Sequence, residues 1–255
     1  MQTVKGFASP ETGRAYARAR ELWEQLGSPS EFLQVFYAQS IYHAYRGEFD
    51  LALRLDEDLL RLSRQRKDSI GLVLGHISSG RNLFLAGRFA LSRSHLEVGL
   101  ALYDPTSHHS LAHQIGFSPR VSFHGYLGNV SVCLGYSDQA LAQSSAALAE
   151  ARRLAHSPTL AMSLAFGTIP LWLVGDDVTL DKRAAELVAF ATEQGFAHWR
   201  AQGTIYRGWV KVKNGHVAEG ISLLRSGSAA YRATGAEQWM PHYTALLASA
   251  CEIAG

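Results

Sequence analysis

Eleven histidines, two cysteines and the run Gly203-Thr204-Ile205-Tyr206-Arg207-Gly208 are the parts of this 255-residue chain from which chemistry could be built. His109-x-x-x-His113 sets two imidazoles one helical turn apart, a spacing from which a zinc site can begin. No glutamate follows His109, so the zincin pattern is absent, and no third ligand stands nearby. Cys133 lies in the apolar run Ser131-Val132-Cys133-Leu134, where a thiol is expected to be buried and inert. Ser107 beside His108 and His109 carries no weight, because catalytic partners meet in space from distant sequence. The glycines at 203 and 208 fall inside a helical stretch rather than between a strand and a helix. These residues predict no catalytic centre, no metal site and no cofactor.

The remaining composition narrows the choice of partner. Hydrophobic residues make up 47% of the chain and charged residues 18%, the balance of a folded domain rather than a disordered one. A net charge of +2, with basic residues spread evenly, offers no stripe for a phosphate backbone, so no nucleic acid is expected. Only Lys5, Lys67, Lys182, Lys211 and Lys213 are lysines; the rest of the basic set is arginine. Two cysteines inside apolar stretches fit a reducing cytoplasm. Met1–Ser9 lacks a secretory pattern, and apolar runs such as Ile169–Val174 are too short to span a bilayer, so no membrane is expected either.

The elements that must position any site are announced by a period. Glycine recurs at Gly47, Gly87, Gly135, Gly175 and Gly215, in steps of 40, 48, 40 and 40 residues. Self-similarity at this spacing is the signature of a helical solenoid. Each glycine is expected in a left-handed turn that ends one helix and reverses the chain. Small or apolar residues five positions later (Ala52, Ser92, Ala140, Leu180, Gly220), and Gly80, Gly128 and Gly208 seven positions earlier, would let paired helices approach closely.

Apolar residues three and four apart, as at Leu51, Ala52, Leu55, Leu59, Leu60 and Leu62, put Arg54, Asp56, Asp58 and Arg61 on the outward face. Punctuation predicts helices at 10–26, 30–46, 48–66, 69–86, 88–103, 119–134, 137–155, 158–174, 177–194, 197–214, 216–233 and 236–253. No strand pattern is present. The fold expected is all-α: about six hairpins of 12–13 helices in one right-handed superhelical domain over 1–255. The 48-residue step leaves an irregular, histidine-rich insert at about 104–118, expected to lie over one face.

Gly47-x-Phe49-x-x-Ala52 and Gly87-x-Phe89-x-x-Ser92 resemble the tetratricopeptide pattern. Two longer stretches, His95-Leu96-Glu97-x-Gly99 through Pro105 and Ala191-Thr192-Glu193-Gln194-Gly195-Phe196 through Trp209 and on to Glu237, resemble something narrower. They are similar to the C-terminal helical-repeat region of large bacterial signalling proteins that carry an adenylate or guanylate cyclase domain and then an ATPase domain. The resemblance implies a sensory or scaffolding region. The chain has neither the phosphate-loop motif nor the paired metal-binding aspartates of those enzymes, so their activities do not carry over.

In a solenoid of this kind the first helix of each hairpin lines the concave face. Counting back from the turn glycines places Tyr37, Arg81, Phe84, Asn129, Trp172, Gln202 and Trp209 there, with Tyr126 and Arg207 at its rim. Tyr, Trp and Arg dominate binding energy at protein interfaces. The function expected is therefore non-catalytic: a module holding a peptide or partner domain in its groove. The alternative is a ligand-sensing region of a nucleotide-cyclase-type system, and an unrecognised enzyme ranks last. The apolar stretch Tyr243–Ala248 ends the chain without a polar capping helix, which predicts a homodimer or docking through that end.

Overall fold

The computed structural model describes residues 6–27, 29, 33–108 and 111–255, and among these the regular structure is entirely helical. In chain order the helices are α1 (Pro10–Gln25), α2 (Gln34–Tyr45), α3 (Phe49–Arg66), α4 (Ser69–Leu85), α5 (Phe89–Leu102), α6 (Leu111–Ile115) and α7 (Pro119–Cys133). They continue as α8 (Ser137–Leu154), α9 (Ser157–Phe166), α10 (Thr168–Val174), α11 (Asp177–Glu193), α12 (Ala197–Lys213), α13 (Val217–Ala233) and α14 (Met240–Ala254). Apart from the short α6, which α5 bypasses to pack on α7, consecutive helices pack on one another, and α2, α4, α7, α9 and α12 also touch in succession, as an inner layer does in a helical solenoid.

The turns are built as the glycine period requires. Gly47, Gly87, Gly135, Gly175 and Gly215 all have φ between 74° and 86°, the left-handed conformation that lets one helix end and the next begin. A second series of turns, between one hairpin and the next, uses the same conformation at Gly27, Lys67, Ala155, Gly195 and Gly235. Serine caps two helices that open on proline: Ser9 accepts from Thr12 N–H at 3.2 Å, and Ser118 accepts from Val121 N–H at 3.5 Å. Proline at the first helical position loses only a donor that had no partner.

Close approach is greatest between α12 and α13. A Cβ on Gly208 would meet the Gly220 carbonyl and the Leu224 nitrogen, each at 2.9 Å. Only glycine fits where backbone lies on backbone.

Two expectations about the helices need correction. The helix predicted at 158–174 is two helices, α9 and α10, broken at Gly167. Pro170 is the cause: it brings no N–H for the Phe166 carbonyl, and its ring clashes there. The same stretch, Ser157–Val174, is long and apolar enough to cross a membrane by length and composition, at a mean hydropathy of 1.4, although most of it is buried inside the fold. Asp56, read as facing outward, is buried (1% exposed), while Arg54 and Arg61 are exposed.

The insert also contains a helix, α6, and drives Leu111, Ile115 and Phe117 into the core. The start predicted at residue 30 lies outside the described residues. On α14, Tyr243, Leu246 and Ala250 point inward, while Thr244, Ala245, Ala248 and Ser249 face out. The outer surface of this helix is therefore mostly small, with Ile253 its large exposed apolar side chain.

Candidate functional site

The inner layer encloses the chain's own N-terminal segment. Gly6, Phe7, Ala8 and Ser9 form a turn ahead of α1, and Phe7 is 1% exposed. Its ring centroid lies 4.5 Å from Tyr45, 5.8 Å from Phe117, 5.8 Å from His198 and 6.0 Å from Trp199. The Thr12 hydroxyl donates to the Gly6 carbonyl at 3.1 Å, which ties the turn to its helix. The segment before α14 closes the other side: Glu237 N–H donates to the Tyr45 carbonyl at 2.8 Å, and Trp239 stands 5.9 Å from Phe84.

Four spaces are strung along this axis. At the end where α2 and α9 begin, Tyr16, Gln34, Tyr37, His113, Phe117 and Pro158 line a cavity of about 390 Å³. Tyr37, Ile41 and Phe117 separate it from a void of about 20 Å³ beside Phe7 and Arg81. Tyr45, Tyr126 and Phe166 divide that void from another of about 10 Å³, which reaches His198 and Gln202. Leu85, Ile169, Gln238 and Trp239 then border a cleft of about 380 Å³ at the opposite end. Space for a drug-sized ligand starts near 300 Å³, so of these four the two mouths have it, while the waist is filled by side chains.

The residues expected on a concave face therefore lie mostly inside the fold. Tyr37, Arg81, Phe84, Asn129 and Gln202 are buried; Tyr126, Trp172, Arg207 and Trp209 are half-buried. Tyr37, Arg81 and Tyr126 meet at one void, whereas Phe84 and Trp172 face the cleft. Asn129, Arg207 and Trp209 border none of these four spaces. Gln202 has a structural task at the α9–α10 break: its side-chain amide donates to the Ala165 carbonyl at 3.1 Å and to the Thr168 hydroxyl at 3.4 Å.

Arg81 belongs to a buried polar network. It donates to Ser40 Oγ at 2.8 Å and to Asn82 Oδ1 at 3.1 Å, and Asn82 donates to Asp56 Oδ2 at 2.6 Å. Its guanidinium also lies 5.8 Å from the Tyr37 ring centre. Burial pushes the Asp56 carboxyl up to about 6, opposed by the positive charge of Arg81 and by hydrogen bonds from its neighbours. His198, buried against the rings of Phe7, Tyr45, Trp199 and Tyr231 and beside the Thr234 hydroxyl, is pushed down to about 3 by burial. His242 is pushed down to about 4 for the same reason.

Among the described residues no three His, Cys, Asp or Glu side chains converge on a metal position. His109 lies outside the described residues, and His113 stands edge-on to His156, with centroids 5.6 Å apart.

Sequence reasoning missed Phe7, Phe117, Phe166, His198, Trp239 and His242. Phe7, Phe117 and Trp239 sit in connecting segments outside the repeat register. An aromatic residue in a turn, where no helix face calls for one, was the signal available for Phe7 and Phe117; Trp239 fell inside the helix predicted at 236–253, which begins only at Met240. No protein-family model matches this chain, and no curated protein is significantly similar to it in sequence.

Proposed function

We propose that this chain is a non-catalytic interaction module, and that its inner face takes a short peptide segment of a partner protein where its own Gly6–Ser9 turn now sits. The observation that carries this reading is the seating of Phe7 among Tyr45, Phe117, His198 and Trp199. An aromatic anchor in a desolvated pocket is what binding hot spots use. Beside this seat, Arg81, Ser40, Asn82 and Asp56 spend hydrogen bonds on one another, which supports a structural use of these groups and binding rather than catalysis. On this reading the hairpins are of the tetratricopeptide type, wind right-handed, and serve a bacterial signalling protein in the cytoplasm.

The test uses the full chain carrying Phe7→Ala and a fluorescein-labelled peptide of residues 1–12. The variant should bind the peptide at least tenfold more tightly than the unaltered protein, and a peptide with alanine for phenylalanine should bind neither. If the variant is unfolded alone, the peptide should restore its helical signal, because binding only the folded state shifts the equilibrium. A folded variant indifferent to the peptide, or an unfolded one that the peptide does not rescue, sinks the reading.

A second reading, ligand sensing, is favoured by the cleft at the Trp239 mouth, which the described residues leave open.

A further inference from the structure

The cleft at the far mouth has walls of one chemical kind. Phe84, Phe89, Trp172, Trp239 and His242 surround it, and the floor is completed by aliphatic side chains such as Ile169 and Leu85. Trp172 stands edge-on to His242 at 4.5 Å, Trp239 edge-on to His242 at 6.0 Å, and Phe84 is tilted against Phe89 at 5.8 Å. Aromatic rings set at different angles to one another thus line the same space, and a flat ring placed among them gains from offset or edge contacts.

No lining residue bears a formal charge, and burial keeps His242 neutral at physiological pH. A charged occupant would leave its hydration with no counter-charge in return, which is costly. The polar groups on the wall belong to His242, Gln238, the indoles of Trp172 and Trp239, and Cys133, whose thiol is exposed rather than buried as its apolar run suggested; they are few enough to orient a ligand without dominating its binding. About 380 Å³ is room for a ring system and a small substituent.

We infer that this cleft binds a small, uncharged, planar aromatic molecule. It stands independently of the peptide reading, since Phe7 does not border the cleft. The two sites nonetheless adjoin. Glu237 and Gln238, just before Trp239, hold the Tyr45 carbonyl by backbone N–H groups at 2.8 and 3.3 Å, and Tyr45 is the ring nearest Phe7.

The test uses 2-naphthol as probe, with 2-naphthoate as its charged counterpart, against the full chain. Binding is followed by quenching of tryptophan fluorescence and by equilibrium dialysis. Leu173 lies on the rim and is 43% exposed, so Leu173→Trp fills the cleft without disturbing the core. Saturable 1:1 binding of 2-naphthol is expected, weakened at least tenfold in Leu173→Trp, with 2-naphthoate at least tenfold weaker on the unaltered protein. Trp172→Ala, which removes a wall, should weaken 2-naphthol comparably. Absence of saturable binding, binding unchanged in Leu173→Trp, or equal affinity for the two probes would overturn the proposal.

Discussion

The backbone N–H of Glu237 donates to the carbonyl of Tyr45 at 2.8 Å, so the segment leading into the last helix is bonded to the end of α2. The same segment presses on the N-terminal turn. A Cβ on Gly235 would lie 2.6 Å from the Ala8 carbonyl, and Gly235 has φ of 81°. Two ends of the chain therefore meet around Phe7 inside the inner layer.

Phe7→Ala should cost about 3 kcal/mol, the lower part of the range for emptying a core phenylalanine site, because the turn can partly collapse. Gly235→Ala should cost more than about 1 kcal/mol, since it combines a left-handed backbone with a backbone clash. Urea titration read by circular dichroism checks both. A midpoint unchanged in either variant would mean that the two ends are not held together in solution.

Acid should loosen the same region. His198 has its imidazole pushed down to about 3, whereas an unfolded histidine titrates near 6.5. Below about pH 6.5 the unfolded state binds a proton that the folded state refuses. Stability is therefore full above 6.5 and falls as the pH drops towards 3, by about 1.4 kcal/mol per pH unit from this group. His198→Phe keeps the aromatic packing and removes the titration. Its urea midpoint should fall less between pH 7 and pH 5 than that of the unaltered protein, and parallel pH profiles would count against the burial argument.

Asp56 carries the opposite linkage. Its carboxyl is raised to about 6, so the folded state holds a proton between about pH 4 and 6 that the unfolded state has released. Its contribution falls as the pH rises through that window. Removing Arg81 takes away the positive charge that opposes the rise. Arg81→Met should raise the carboxyl further and cost about 3 kcal/mol at pH 7, as breaking a buried charge network does. Asp56→Leu combined with Arg81→Met should cost less than the sum of the two single changes. Additive costs in a double-mutant cycle would show that the two side chains are not coupled.

Much of this architecture could be read from the residues. The helices and the left-handed turns at Gly47 through Gly215 follow from a 40-residue period, because each repeat needs one chain reversal at the same place. Pro170 carried a signal that the helix predicted at 158–174 passed over, since a proline three residues after Gly167 cannot continue a helix unbroken. The site was legible only in part. Counting from the glycines found the inner positions of Arg81, Phe84 and Gln202, but it could not show what covers them. That depends on Phe7, Phe117 and Trp239, whose partners lie far off in sequence and follow no period. Asp56 was misread because one carboxylate on a polar helix looks solvated; only the approach of Ser40 and Asn82 from neighbouring helices makes it internal.

The second series of turns offers a way to stabilise the protein without touching its core. Lys67 and Ala155 hold φ of 55° and 49° where Gly195 and Gly235 stand in later repeats. A side chain in this conformation costs roughly 1–2 kcal/mol against the right-handed one. Glycine relieves that strain but loses about 0.5–1 kcal/mol through the greater freedom of the unfolded chain. Ala155→Gly should therefore gain about 0.5–1 kcal/mol, and Lys67→Gly a similar amount. In contrast, Gly208→Ala places a methyl group 2.9 Å from the backbone of α13 and should cost about 2–3 kcal/mol. Thermal unfolding of the three variants should move the first two midpoints up and the third down. A fall in both of the first two would mean that these turns are not left-handed in solution.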